Sequence, residues 1–325
     1  MKEGECAPLG KLPPEILQSK ILRYAGTERA EVRIGPRIGE DAAVIEWPAG
    51  KFLVVSSDPI VGAKSGAGRL LVFVNSNDIF SKGGEPAYLV VTLILPACDG
   101  GHENASRIMA EVDEACRETG IAIVGGHTEF TDRYDVPVIV GTIFGMAQRV
   151  LSAEDVRPGD ALVMTKHSGL EGMTILAQDR PDLLGTCLSD EEMEEVKSWT
   201  SALSVGREAR LLSPFARFMH DPTEGGLMGG LSEIASLIPW GLEVDTDAVP
   251  LHPYTRRAAA SLGFDPLRLI SSGVLLAVIP EVEVADSLEG LEKIGVPGKV
   301  IGRVVTGKGN CSESFKEELW GLLAK

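Results

Sequence analysis

Two adjacent carboxylates, Glu40 and Asp41, stand behind a glycine at the mouth of an apolar run in Arg37-Ile-Gly-Glu-Asp-Ala-Ala-Val-Ile45. Acids are normally kept out of such places, because withdrawing a carboxylate from water costs several kcal/mol unless a partner offsets it. Asp58 closes the next apolar run, Phe52-Leu-Val-Val-Ser-Ser-Asp58, and Asp78 lies within Val74-Asn-Ser-Asn-Asp-Ile79. Asp41, Asp58 and Asp78, three acids on buried elements of one half-chain, suggest a shared cation. Mg²⁺ holding a polyphosphate is the common reason to assemble such a set. If residues around Asp78 are helical, Asn75 and Asp78 share a face and can converge on one ligand, whereas Asn77 points away and needs another partner. The plainer alternative, capping or loop bridging, is the usual fate of one Asn–Asp pair. The two acidic strand ends around this pair favour the ligand.

Two glycine-bearing turns could hold the rest of a polyphosphate. Ile121-Ala-Ile-Val124 reads as a strand emptying into Gly125-Gly126 and then His127, Thr128 and Glu129. Ligands of α/β folds gather beyond the carboxyl ends of strands, and glycine lets them approach the backbone. His220-Asp-Pro-Thr-Glu-Gly-Gly-Leu227 opens a helix whose first N–H groups favour an anion. Asp221 could hold metal there and Thr223 could bond an oxygen, against a plain N-cap as the alternative. Ser271-Ser-Gly273 is a weaker turn of the same kind. GxGxxG, GxxxxGK[ST] and the Gly-x-Ser-x-Gly elbow are absent, which removes the Rossmann, P-loop and serine-hydrolase solutions. A metal hydrolase built on His127, Glu129, His220 and Asp221 is the poorer reading, because no His pair has helical ligand spacing.

The elements that must position these residues alternate. Ala42–Ile45, Phe52–Ser56, Leu89–Leu95, Ile121–Val124 and Val136–Phe144 read as strands, with helices over Arg69–Lys82 and Asn104–Thr119. Ile108, Val112, Ala115 and Cys116 form the apolar stripe of the second helix. Gln148–Asp160 reads as a junction between residues 1–150 and 151–325. Beyond it, Ala161–Thr165, Val274–Ile279 and Val300–Val305 read as strands, and helices are expected from Gly172, over Ser201–Leu212 and over Gly225–Leu237. Ser189-Asp-Glu-Glu192 has capping-box spacing, so the acids from Asp190 to Glu195 are a helix start without catalytic role. The result is two consecutive α/β units.

A length of 325 residues suits two domains, and 44% hydrophobic with 24% charged residues is ordinary for a folded protein. The net charge of −16 argues against nucleic acid and requires metal or local cations at any phosphate site. Apolar runs are strand-sized, so no membrane span is expected. Five scattered cysteines, no CxxC and no signal-peptide layout point to a reducing cytoplasm.

Gly10-Lys-Leu-Pro13, Gly39-Glu-Asp-Ala-Ala43, Ser57-Asp58, Asn77-Asp-Ile79, Gly125-Gly-His-Thr-Glu129, His220-Asp-Pro-Thr223 with Gly225-Gly-Leu227, and Ser271-Ser-Gly273 follow one another in order. As a set they resemble the AIR synthase-like (PurM-like) ATP-binding superfamily, most closely its HypE branch of hydrogenase maturation proteins. The Asn75…Asp78 spacing also looks like that of thiamine-monophosphate kinases. The resemblance implies two α/β domains and a homodimer whose N-terminal domains pair their sheets. It also implies ATP and Mg²⁺ in a cleft near that interface, and phosphoryl transfer to an oxygen of a small acceptor. It maps Asp41, Asp58 and Asp78 onto the metal- and phosphate-binding acids, with Glu40 in support. Gly125, Gly126 and Thr128 map onto the phosphate-proximal loop, and Asp221 and Thr223 onto the second domain's share. Two departures stand out. Cys311, rather than a terminal residue, is the last cysteine, and Glu224 replaces the arginine usual in the HypE motif. The expected alternative is a nucleotide-binding partner of another maturation protein, without catalysis of its own. The tail beyond Cys311 is expected to form an amphipathic helix using Phe315, Leu319, Leu322 and Leu323.

Overall fold

In the computed structural model, which describes residue 14 and residues 32–34, 38–40, 43–47, 50–61, 65–96, 101–311 and 316–325, the apolar runs of the first half form one sheet. Its strands are β1 (Val32–Ile34), β2 (Ala43–Trp47), β3 (Lys51–Ile60), β4 (Glu85–Pro96), β5 (Ala122–Thr131) and β6 (Val138–Ala147), in the order β1-β2-β3-β6-β4-β5. Only β4 and β5 run parallel, a pairing that needs a crossover; α2 (Gly101–Thr119) supplies it. The predicted stripe holds, with Ile108, Val112, Ala115 and Cys116 all buried. The preceding helix, α1 (Ala67–Ser81), is buried at every position except Arg69. It carries Asn75, Ser76, Asn77, Asp78 and Ser81 into the interior, so its cover must also bond polar groups.

The second half forms an antiparallel sheet of β7 (Ala161–Thr165), β8 (Phe218–His220), β9 (Gly241–Val244), β10 (Leu276–Ile279) and β11 (Gly298–Val305), ordered β8-β10-β7-β11-β9. Around it lie α3 (Leu170–Asp179), α4 (Pro181–Leu184), α5 (Asp190–Ser198), α6 (Gly206–Leu212), α7 (Gly226–Leu237), α8 (Pro253–Leu262), α9 (Val284–Lys293) and α10 (Leu319–Leu323). The capping box at Ser189 and Glu192 is present in full. Cover for the outer side of α1 comes from this half, through α6 and β8.

Three expectations are revised. β3 does not stop at Ser56 but runs on to Ile60, because β6 pairs with it along its whole length, so Asp58 lies within a strand and opposite Gly141. β5 passes straight through Gly125 and Gly126 to Thr131, with a register shift at that point. The helix expected over Ser201–Leu212 breaks into a 3₁₀ turn at Trp199–Ala202 and α6, because Asn77 takes the backbone between them. Its Nδ2 donates to Leu203 O at 2.9 Å, and Val205 N donates to its Oδ1 at 2.9 Å. The side chain pointing away from the Asn75 face is therefore a clasp between the two halves. Among the described residues, no helix is long and apolar enough to cross a membrane.

Candidate functional site

Alternation along β3 turns Ser56 and Asp58 to the same face of the sheet, the face α1 covers. Asn75 spends its amide on the backbone there: Asp58 N donates to its Oδ1 at 3.0 Å, and its Nδ2 donates to Leu71 O at 2.9 Å and Asp58 O at 3.3 Å. Gly141 leaves the room for this, since a Cβ would stand 2.8 Å from Asn75 Nδ2. One turn further along α1, the buried Asp78 accepts a hydrogen bond from Ser56 Oγ. The two acids thus belong to one strand–helix contact, in which Ser56 bonds Asp78 and Asn75 positions the backbone of Asp58. Asp41 lies outside the described residues.

The register carries the site across the sheet. Asp58 faces Gly141, Gly141 faces Val91, and Val91 faces Gly126, one row over four strands. Three strand spacings of ~4.8 Å make this row roughly 14 Å long, a span suited to a nucleotide polyphosphate. Gly126 must be glycine, because a Cβ would collide with Val91 O. Gly125 stands one residue earlier, at the register shift opposite Val90. The residues after it do not form one cluster. His127, opposite Thr92, and Thr128, opposite Leu93, are both exposed and take opposite faces of the strand, with Thr128 on the Asp58 side. Glu129 takes the register position opposite Ile94.

Glu40 enters from the loop before β2. Its side chain pairs with Lys82 just past the end of α1, the two being 1% and 0% exposed. Lys82 Nζ also sits 5.1 Å from the centre of the Phe218 ring on β8. Gly39 presses on the second domain, since a Cβ there would come 2.8 Å from Leu237 Cδ1 and 3.0 Å from Glu233 O. Glu233 in turn lies 2.8 Å from His220 Nε2. A polar seam therefore runs from Asp58 and Asp78 through Lys82 and Glu40 to His220 and the buried Asp221. Lys82, Ser56 and Glu233 escape a reading of the sequence; the one trace is that Lys82 follows Asp78 by four residues, on the same helix face.

On the second-domain turn, Gly225 and Gly226 take φ of +83° and +61°. Thr223 O accepts from Gly226 N at 3.0 Å and Ser271 N at 3.3 Å, tying this turn to Ser271–Gly273. The Gly225 N–H, expected to meet a phosphate, instead donates to Glu317 Oε2 at 2.6 Å, and Ile270 N donates to Oε1 at 3.2 Å. Burial pushes the Glu317 carboxyl up to about 7, and the fully buried Glu171 beside Ser272 is pushed up to about 7 for the same reason. Neither glutamate stands out in the sequence.

As a donor set, Asp58 and Asp78 with phosphate oxygens suit Mg²⁺, which commonly takes one or two protein carboxylates and completes its shell from the substrate. Among the described residues no three His, Cys, Asp or Glu side chains stand together as a metal cage. His220, one of the four residues of the metal-hydrolase reading, is bonded to Glu233 instead.

Residues 39–147 match the family described as AIR synthase related protein, N-terminal domain, and residues 157–311 match its C-terminal domain. Carbamoyl dehydratase HypE of Cupriavidus necator is 30% identical over 286 residues, covering 83% of this chain and 78% of that protein. A hydrogenase maturation protein HypE in complex with ATP superposes with a TM-score of 0.67 at 26% identity, over 90% of this chain and 86% of the other. HypE from a HypE–HypF complex shares the fold, with a TM-score of 0.68 at 21% identity over 82% and 88% of the two chains.

Proposed function

Since the chain belongs to the AIR synthase related protein family, we propose that it binds ATP with Mg²⁺ along the Asp58–Gly126 row and transfers the γ-phosphoryl group to an oxygen of a small acceptor. The observation that carries this reading is the shared strand–helix contact, at one end of a row that ends in glycine, where Ser56 bonds Asp78 and Asn75 bonds the Asp58 backbone. Asp58 and Asp78, with Asp41, would hold the metal. The bound ion would neutralise phosphate charge in a protein of net charge −16. Gly125, Gly126 and Thr128 would lie along the phosphates. Asp221 and Thr223 would close the cleft from the second domain, with Lys82 as the nearby cation held in place by Glu40. Catalysis of this type is mostly positioning and electrostatics, which a rigid sheet row and a buried helix supply.

We also infer a homodimer through the sheet face that the helices leave uncovered, where Tyr88 is 46% exposed and shares the face with the half-buried Val90 and Val140. Burial pushes the Cys311 thiol up to about 11, so it stays mostly protonated near neutrality and is poorly suited to carry an acceptor group. A small molecule is the acceptor favoured here. A maturation protein partner, as HypF is for HypE, is the second reading, which the protonated Cys311 thiol favours. Calorimetric titration with a non-hydrolysable ATP analogue, with and without Mg²⁺, tests the site. Asp58→Asn and Asp78→Asn should each weaken metal-dependent binding by about tenfold or more. Absence of Mg²⁺-dependent binding at millimolar nucleotide would sink it, and steady ADP release with a small acceptor would decide against the partner reading.

A further inference from the structure

The second domain holds a cavity of about 350 Å³, a volume that suits a small organic ligand. Leu170, Val296 and Pro297 give it apolar walls. Trp199 lines it too, with the His167 ring 4.7 Å away edge-on. The charged side chains lining it are Lys166, Arg207 and Glu208, a net positive balance inside a chain of net charge −16. Lys166 is fully committed to the protein. Its Nζ donates to Ala202 O, Ser204 O and Gly273 O at 2.7 to 2.9 Å and pairs with Glu208 at 2.6 Å. It does so from a left-handed backbone, φ 56°, the one such non-glycine residue among those described. Strain of this kind persists where surrounding contacts hold it, and it gathers at functional sites.

Two polar groups on this cavity are not so committed. The buried His167 Nδ1 has no close, well-aligned hydrogen bond, the ring's one protein partner being the Ser168 backbone. Burial lowers that imidazole to about 4, so the ring is neutral near pH 7 and one of its nitrogens can accept a hydrogen bond. Arg207 is exposed and donates from Nη2 to Ile294 O, with further N–H donors left in its planar fork. A guanidinium recognises a carboxylate or phosphate, and an indole recognises a flat ring. We propose that this cavity is a second ligand site, separate from the seam, for a small aromatic or heteroaromatic anion. The ring lies against Trp199 and the anionic group meets Arg207.

The test is calorimetry on the full chain with benzoate and phenyl phosphate as probes, and with inorganic phosphate and phenol as controls for head and ring alone. Saturable binding of either probe, about tenfold or more tighter than both controls, is expected, and the better probe tells carboxylate from phosphate. Arg207→Ala, a surface change that leaves the fold intact, and Trp199→Leu should each weaken that probe by about tenfold. A saturating non-hydrolysable ATP analogue should leave the probe bound. No saturable binding of either probe, indifference to both variants, or competition with the ATP analogue would overturn the proposal. None of these outcomes depends on whether the seam transfers phosphoryl groups.

Discussion

Lys82 and Glu40 are both withdrawn from water, so neither can lose the other cheaply. Lys82→Met should destabilise the protein by about 3–5 kcal/mol in urea unfolding, because it strands a buried carboxylate. The double change Lys82→Met with Glu40→Gln should recover most of that loss; equal losses in single and double variants would show that the packing of Lys82 matters and not its charge. Nothing local in the sequence marks this pair, since a basic residue at a helix end ordinarily serves the dipole. The shared face of Asn75 and Asp78 and the separate partner of Asn77 were legible because the helix period fixes them. Asp58 reads as a strand end and Asn75 as a ligand contact, although Asp58 lies within β3 and the Asn75 amide bonds the backbone. Glu171 was not legible, because its environment is assembled from the Ser272 turn and the tail. Its ordinary carboxyl value of 4.5 rises to about 7 through burial, so folding favours the protonated form. Its contribution is complete below the unfolded value and is lost as pH climbs through 7. Glu171→Gln should therefore flatten the decline in urea midpoint between about pH 5 and pH 8; an unchanged slope would assign that decline to other groups.

At the scale of elements, the alternation of strands and helices follows from the apolar runs, and the sheet order does not. Strand ends were misplaced wherever a neighbour continued the ladder, as β6 does beside Asp58 and β4 does beside Gly126. The tail shows the same limit. Its helix covers only Leu319–Leu323, Phe315 lies outside the described residues, and Leu319 and Leu322 are buried as their spacing implied. Glu317 adds what spacing could not show, a carboxylate bonded to the Gly225 and Ile270 N–H groups. Deleting Lys316–Lys325 should lower the thermal midpoint, since each buried leucine side chain contributes roughly 2 kcal/mol. Unchanged stability with lost turnover would instead make the tail a substrate arm.

For the whole molecule, the open face of the first sheet offers the strongest case for a second copy. Val140→Asp, on the central strand β6 and facing outward, should shift sedimentation to a monomer, and nucleotide affinity should fall with it if the dimer completes the cleft. A monomeric wild type at micromolar concentration would count against the dimer. Within one chain the halves are joined differently, and the Asn77 clasp has a consequence for hydrogen exchange. The Val205 amide lies between two helical segments, where exchange ordinarily proceeds through small local openings. Its acceptor, however, is a side chain in the middle of a helix buried on all sides. Deuterium should reach Val205 only as fast as it reaches the core amides of α1, so that one loop proton reports the global opening of the protein; exchange within seconds would mean that the halves part while each stays folded.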